Sequence, residues 1–190
     1  MTLKEKIMPA LVLMIICIVI SGLVIGVYSL TYVDNTGVMT DALKDGCNQI
    51  FSDKEATYEI LLEESGDGKK IPITFSDDVT AVIVDKENKT CVFEIVADGY
   101  EKGGLHVLVG INADGAVEGI SFIEISETKG LGTKVQDESF LSRFKGFTPD
   151  SDVSEVDNLT GATFSSKGMK NAVSLALKTY SENKEAIFGE

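Results

Sequence analysis

Residues 157–163 read Asp-Asn-Leu-Thr-Gly-Ala-Thr, a short segment rich in hydroxyl groups directly before a predicted helix. That helix, over residues 164–188, is indicated by apolar residues at helical spacing: Met169, Ala172, Val173, Ala176, Leu177 and Tyr180. Ser165 and Ser166 are its expected N-cap residues. The segment would then lie at the positive end of a helix dipole, where a phosphate is stabilised. An ordinary capped helix is the alternative interpretation.

A second segment with binding potential, residues 127–132, reads Glu-Thr-Lys-Gly-Leu-Gly and follows the last predicted strand. Gly130 and Gly132 flank Leu131, which predicts a tight and exposed loop. Backbone amides in such a loop can approach a flat ligand closely. A simple turn explains the same residues when they are taken alone.

The elements that would position these two segments are strands followed by helices. The Asp-Gly pair at residues 114–115, between two apolar runs, is typical of a β-hairpin. Strands in succession with helices at both ends predict the α+β class, an antiparallel meander with flanking helices. The predicted strands cover residues 79–85, 90–96, 105–111 and 116–125, with a helix over 41–64 that is interrupted around residues 52–53, a loop over 65–70 and a short helix near 138–144.

Residues 7–30 are free of charge and rich in Leu, Ile, Val and Met. A helix of this length crosses a hydrocarbon core of about 30 Å, so the pattern predicts one N-terminal transmembrane helix. Lys4 and Lys6 precede it, which predicts a cytoplasmic N-terminus and an extracytoplasmic remainder. A cleaved secretory peptide ending near Ser29 is the alternative interpretation. The expected division is 1–32 for the membrane segment, 33–78 for a helical connector and loop, and 79–190 for the main domain.

The formal net charge is −13, and all of the excess negative charge lies beyond residue 33, because the first 33 residues carry a net positive charge from Lys4 and Lys6 against Glu5. Such an acidic domain repels phosphate backbones, which argues against nucleic acid as a partner.

The cysteine and histidine content gives little support to a metal or hydrolytic site. Cys17 lies in the membrane segment, while Cys47 and Cys91 are far apart, and a disulfide between these two is left open. His106 is the single histidine and lies in an alternating apolar run, so it is expected on a strand face. No catalytic residue and no metal ligand are predicted.

The segment 157–163 resembles the flavinylation motif of the FMN-binding domain family, in which a flavin transferase joins FMN to the last threonine through a phosphoester. The glycine-rich runs at 99–100, 109–115 and 127–132 and the Phe-Leu-Ser-Arg-Phe-Lys-Gly run at 140–146 are similar to that family in order and spacing. The resemblance covers about residues 91–178. It implies FMN as the cofactor and Thr163 as the acceptor.

The resemblance also implies roles for the neighbours of Thr163 and for the second segment. Asp157, Thr160, Gly161 and Ala162 complete the attachment motif. The residues implied to hold the isoalloxazine ring are Glu127, Thr128, Gly130, Leu131 and Gly132.

Two positions depart from the family pattern. Lys129 stands where proline is usual, so the loop is expected to be less preorganised. Lys129 either places a positive charge near the reduced flavin or is simply exposed. Phe140 stands where an indole is common.

Within that family, the G subunit of Rnf electron-transport complexes combines one N-terminal membrane helix with a domain of about this size. The chain resembles it in this arrangement. The resemblance implies a membrane-anchored electron carrier in an ion-translocating ferredoxin:NAD oxidoreductase. It implies other membrane and iron–sulfur subunits as partners, and a flavin transferase for maturation. The alternatives are the C subunit of a sodium-translocating NADH:quinone reductase and a membrane-tethered binding module without redox function.

Overall fold

The computed structural model describes residues 3–31, 37–52, 56–66 and 70–189, and only the backbone of residues 3–7. The chain forms two compact units, Met1–Asn35 and Thr36–Glu190. The finer threefold division expected above stays a prediction.

The first unit contains one helix, α1, at Leu3–Thr31. Its stretch Met8–Thr31 is long and apolar enough to cross a membrane, judged by length and composition. At 1.5 Å per residue these 24 residues extend about 36 Å, more than the roughly 30 Å of a hydrocarbon core. Within the described residues, one candidate transmembrane helix thus lies at the predicted place.

The second unit is built on an antiparallel five-stranded sheet with the strand order β1-β4-β5-β6-β7. A separate two-stranded sheet pairs β2 with β3. The strands are β1 Glu59–Ile60, β2 Leu62–Glu64, β3 Lys70–Pro72, β4 Val79–Asp85, β5 Thr90–Ala97, β6 Leu105–Ile111 and β7 Val117–Ile125.

The predicted meander is confirmed as β4 to β7, with strand ends within one residue of those expected. The Asp-Gly signal marks the hairpin between β6 and β7. There Gly115 has φ +81°, and the Asn112 side chain accepts a hydrogen bond from the Ala116 N–H at 3.1 Å. Glycine is favoured at this position because a side chain disfavours positive φ.

One helix packs on each face of the sheet. Helix α2, Asp41–Phe51, covers one face through the buried cluster Leu43, Cys47, Ile50, Ile83, Val92 and Leu108. Helix α4, Thr163–Phe188, covers the other face, and its buried Met169, Ala172, Val173, Ala176, Leu177 and Tyr180 confirm the predicted stripe. Successive side chains along each strand point to opposite faces of the sheet, so they belong to two separate hydrophobic cores.

Cys47 and Cys91 are free thiols on opposite faces of the sheet, since each belongs to a different core cluster. Burial raises the pKa of Cys47 to about 12 and also raises the pKa of Cys91. Both side chains therefore act as small apolar residues of the core.

The prediction of a helix over residues 41–64 is wrong beyond α2. The helix ends at Phe51, where Ser52 has φ 55° and its N–H bonds the Asn48 carbonyl at 2.9 Å. Residues 59–60 and 62–64 form β1 and β2, and the Leu61 N–H donates to the Val82 carbonyl at 2.8 Å; residues 53–55 lie outside the described residues. Pairing of β1 with the edge of β4 and of β2 with β3 decides their structure, and local spacing does not reveal such pairing. The predicted loop is also one residue too long, because β3 begins at Lys70; residues 67–69 lie outside the described residues.

Between β7 and α4 the chain makes three 3₁₀ turns, at Gly132–Gln136, Ser142–Phe144 and Val153–Glu155, and one short helix. That helix, α3 at Glu138–Leu141, confirms the predicted one near residues 138–144. Phe140 is fully buried and packs edge-on against Phe144 with ring centroids 5.3 Å apart. Phe140 is thus a core residue beneath the segments described below.

Candidate functional site

Three segments of the second unit meet around a cleft of about 350 Å³. They are the loop between β5 and β6, the loop after β7, and the first turn of α4. The cleft is lined by Tyr100, Glu127, Thr128, Leu131, Gly132, Gly161, Ala162, Thr163, Phe164 and Ser165. The structure therefore joins the two segments singled out in the sequence and adds a third. The volume lies in the range of small-molecule sites.

The loop after β7 closes with a tight turn. The Leu131 N–H donates to the Thr128 carbonyl at 3.1 Å, and Gly130, the third residue of this turn, has φ +77°. This is the pattern of a type II turn, in which Lys129 occupies the second position. The Gly130 N–H also donates to the Thr133 hydroxyl oxygen at 2.9 Å. The turn leaves Leu131 exposed at the cleft.

The attachment motif contains a second turn of the same kind. The Ala162 N–H donates to the Leu159 carbonyl at 3.0 Å, and Gly161 has φ +82°. Gly161 faces Leu131: a Cβ atom built on Gly161 would lie in contact with Leu131 Cδ2, at 3.5 Å. The two glycine turns therefore approach each other across the cleft.

Helix α4 begins directly after the second turn, at Thr163, with Ala162 as its N-cap. Alanine has no side-chain oxygen, so it cannot satisfy the free N–H groups of the first turn as Ser, Thr or Asp would. Thr163 is exposed at this end, where the helix dipole favours an anion. The uncapped helix start and the exposed hydroxyl thus lie at the same place.

The prediction that Ser165 or Ser166 caps this helix is wrong, because both lie inside its first turn and are buried. The Ser166 hydroxyl oxygen accepts a hydrogen bond from the Leu159 N–H at 3.0 Å. The Ser165 hydroxyl donates to Glu127. These two hydroxyls therefore bond the preceding turn and Glu127, and neither satisfies a free N–H group at the helix start.

Glu127 is 8% exposed and connects all three segments of the site. Its carboxylate accepts hydrogen bonds from the backbone N–H groups of Tyr100 at 3.2 Å and Glu101 at 3.1 Å. It also accepts a hydrogen bond from the Ser165 hydroxyl. Charge-assisted hydrogen bonds of this kind are about twice as strong as neutral ones. The side chain thus fixes the cleft walls, and ring contact by Glu127 stays a prediction.

Three glycines make room for this carboxylate. A methyl group on Gly99, Gly104 or Gly132 would clash with the Glu127 side chain. The glycine at the end of the loop after β7 is therefore needed for close packing around Glu127, in addition to any approach of a ligand.

Some predicted site residues lie away from the lining of the cleft. Asp157 and Thr160 are exposed, and the Asp157 carbonyl accepts a hydrogen bond from Arg143 at 3.4 Å. Gly130 shapes its turn without lining the cleft, and Lys129 is exposed. His106 lies on β6, as expected, with its Nε2 2.8 Å from Glu94 Oε1.

Sequence reasoning missed Tyr100, Phe164 and Ser165 as lining residues. One signal for Phe164 was present: an aromatic residue beside Thr163 that falls off the apolar stripe of α4. Tyr100 carried no such signal, because the contact between its loop and Glu127 spans 27 residues.

The match to a known domain agrees with this geometry. Residues 99–178 match the model of the FMN-binding domain, a stretch that contains all three segments of the cleft. This stretch of the chain is therefore similar to the FMN-binding domain family. The cofactor expected from the sequence is therefore FMN.

Three relatives illustrate what the whole chain is similar to. The G subunit of the ion-translocating oxidoreductase complex of Shewanella piezotolerans is 30% identical over 105 residues, 49% of each chain. The G subunit of the Na⁺-translocating ferredoxin:NAD⁺ oxidoreductase complex of Acetobacterium woodii is 30% identical over 55% of this chain and 56% of its own. The G subunit of the proton-translocating ferredoxin:NAD⁺ oxidoreductase complex of Clostridium ljungdahlii is 31% identical over 49% of this chain and 55% of its own. The chain spans about half the length of the curated relatives it matches.

The lining of the cleft fits the two ends of this cofactor. The exposed apolar side chains of Tyr100, Leu131 and Phe164 suit a flat aromatic ring. The N–H groups at the start of α4 suit its phosphate. When bound, the flavin supplies the redox chemistry, while the protein supplies binding and orientation.

Proposed function

We propose that Thr163 carries FMN through a phosphoester and that the chain is a membrane-anchored electron carrier. Its place would be in an ion-translocating ferredoxin:NAD oxidoreductase complex of the Rnf type. The observation that carries the proposal is the exposed Thr163 hydroxyl at the uncapped start of α4, within the cleft of an FMN-binding domain.

Thr163 suits attachment better than the neighbouring threonine of the motif. Both side chains are exposed, but Thr163 lines the cleft and Thr160 does not. A phosphodiester retains one negative charge, and the first-turn N–H groups of α4 would stabilise it. Thr128, Leu131 and Gly132 on the facing loop would hold the ring end.

The proposed complex follows from the named relatives and the candidate transmembrane helix. All three relatives are G subunits of ion-translocating complexes, two of them named as ferredoxin:NAD⁺ oxidoreductases. Tethering to the membrane would keep the flavin near iron–sulfur and membrane subunits, which raises their effective concentration. Electrons would pass through this chain as an intermediate carrier.

Lys4 and Lys6 support a cytoplasmic N-terminus and an extracytoplasmic FMN-binding domain. Alkaline phosphatase fused after the C-terminus tests this orientation, because the enzyme is active only outside the cytoplasm. An active fusion is expected, and an inactive fusion that is stably produced would contradict the orientation.

Flavin fluorescence on a denaturing gel tests covalent attachment. The full chain is produced together with a flavin transferase. The wild-type band is expected to fluoresce and the Thr163→Ala band to be dark. Thr74→Ala removes an equally exposed threonine outside the cleft and should fluoresce like the wild type. A fluorescent Thr163→Ala band would reject Thr163 as the acceptor.

Co-purification tests membership of the complex. A tagged chain extracted in mild detergent is expected to bring down a ferredoxin-oxidising iron–sulfur subunit with its membrane subunits. Recovery of a quinone-reducing assembly instead would favour the sodium-translocating quinone reductase. Recovery of the chain alone, with fluorescence absent, would favour a binding module.

A further inference from the structure

Exposed large apolar side chains are few in the described part of the second unit, and half of them surround the cleft. Tyr100, Leu131 and Phe164 are 66%, 47% and 63% exposed and all line it. Each comes from a different segment of the site. Apolar groups that converge in this way at a cleft mark a binding surface.

The two aromatic residues form a pair. The rings of Tyr100 and Phe164 have centroids 6.2 Å apart and an interplanar angle of 70°, an edge-to-face arrangement. Phe164 directly follows the proposed attachment residue. Tyr100 approaches from the loop between β5 and β6.

The backbone beneath Tyr100 is firmly held although its side chain is exposed. The Glu127 carboxylate accepts a hydrogen bond from the Tyr100 N–H at 3.2 Å. The Asp98 side chain accepts one from the Gly103 N–H at 2.7 Å. The N–H groups of Gly99 and Gly104 both donate to the Glu101 carbonyl at 3.1 Å. A fixed backbone that presents an exposed ring is a preformed wall, because little entropy is lost when a ligand packs on it.

We propose that Tyr100 is a further FMN-binding residue, whose phenol ring contacts the isoalloxazine ring and forms one wall of its site together with Phe164. The inference rests on the proposed function, because it requires FMN at Thr163. Glu127 is the positioning residue of this wall, since its carboxylate holds the Tyr100 backbone next to α4.

The tyrosine content of the chain makes this contact measurable. A phenol in contact with a photoexcited flavin quenches its fluorescence by giving it an electron and taking the electron back. The sequence contains no tryptophan and five tyrosines. Tyr28 lies in α1, Tyr58 packs on the α2 face and Tyr180 is buried about 25 Å along α4 from Thr163. Tyr32 lies outside the described residues.

The test compares native and denatured flavin fluorescence of the full chain produced with a flavin transferase. The ratio of the two does not depend on how much flavin is attached. A low ratio is expected for the wild type. Tyr100→Phe should raise it several-fold, because phenylalanine keeps the ring but is not readily oxidised. Tyr58→Phe is the matched control and should leave the ratio unchanged.

Two results would overturn the inference: a wild-type ratio near one, or an unchanged ratio in Tyr100→Phe. Tyr100→Leu provides a second measurement, in which loss of the visible circular dichroism of the flavin is expected because the aromatic wall is removed. Retention of that signal would also reject the contact. Failure of the proposed function is distinguishable, because the wild-type band on a denaturing gel would then be dark.

Discussion

The carboxylate of Glu127 accepts a hydrogen bond from the hydroxyl of Ser165, and this contact joins the end of β7 to the first turn of α4. The same carboxylate holds the loop between β5 and β6 through two backbone N–H groups. One buried side chain therefore sets the distances between the three walls of the cleft. The buried Glu127 carboxylate contributes fully to stability only while all three hydrogen-bond donors are present, because the loss of one leaves a buried polar atom unsatisfied.

Glu127→Gln should lower the free energy of unfolding by about 2 kcal/mol, because the amide group would place N–H donors against N–H donors. Denaturant unfolding of the apo protein measures this. Glu155→Gln, at an exposed position of a 3₁₀ turn, should change stability little.

Ser165→Ala combined with Glu127→Gln separates the contact from its surroundings. The double variant should be about 1 kcal/mol more stable than the sum of the single effects predicts, as is usual for residues in contact. Strict additivity would show that the two side chains do not interact.

Gly168→Ala should destabilise the protein by about 2 kcal/mol, although alanine favours helices by about 1 kcal/mol. A Cβ atom at Gly168 would clash with the Asp98 carbonyl oxygen and lie 2.6 Å from Leu105 Cδ1, so α4 would move off the sheet. Thermal unfolding measures the effect. Gly66→Ala is the control, since its Cβ atom would meet nothing within 4 Å.

Lys129→Pro should raise the free energy of unfolding by about 0.5 kcal/mol. Proline is favoured at the second position of a type II turn, where it removes conformational freedom from the unfolded chain. Denaturant unfolding of this variant should be compared with Lys129→Ala, which removes the charge without fixing φ. Equal stability of both variants would show that backbone restriction contributes nothing here.

Glu118→Gln tests a pH-dependent contact between the β6–β7 hairpin and the segment after α3. Hydrogen bonds from Lys145 at 2.7 Å and Asn112 at 3.1 Å lower the pKa of Glu118, with Lys145 the larger cause. The Glu118 side chain is 30% exposed and that of Lys145 62% exposed. We expect a loss of about 0.5 kcal/mol at pH 7, in line with partly exposed ion pairs.

The sign of this pH dependence follows from the lowered pKa. Ionised Glu118 is favoured in the folded state, so its contribution is present above the unfolded pKa near 4.3 and is lost as pH falls through the folded value. The difference between wild type and Glu118→Gln should therefore vanish in acid unfolding curves. In a Lys145→Met background most of this pH dependence should be absent, and its full persistence would contradict the assignment.

Local signals predicted much of this protein, and the structure confirms them where residue type alone sets conformation. Alternating apolar residues and the Asp-Gly pair gave β4 to β7 and their order, because a tight hairpin leaves an adjacent antiparallel partner as the simplest arrangement. The stripe from Met169 to Tyr180 gave α4 and its buried face. The motif at residues 157–163 indicated one segment of the cleft, and attachment of FMN there stays a prediction.

Contacts between distant residues account for what the sequence did not reveal. The strand at Glu59–Ile60 exists because it pairs with β4, and Ser165 is buried because Glu127 accepts its hydroxyl. Tyr100 reaches the cleft because Glu127, 27 residues later, holds its backbone. The spacing of apolar residues along the chain indicates backbone conformation and burial. Contacts between residues far apart in the sequence form only when α4 and the sheet pack together. The sequence by itself determined the meander, the apolar helices and the resemblance of residues 157–163 to a flavinylation motif; the tertiary structure decided which side chains line the cleft.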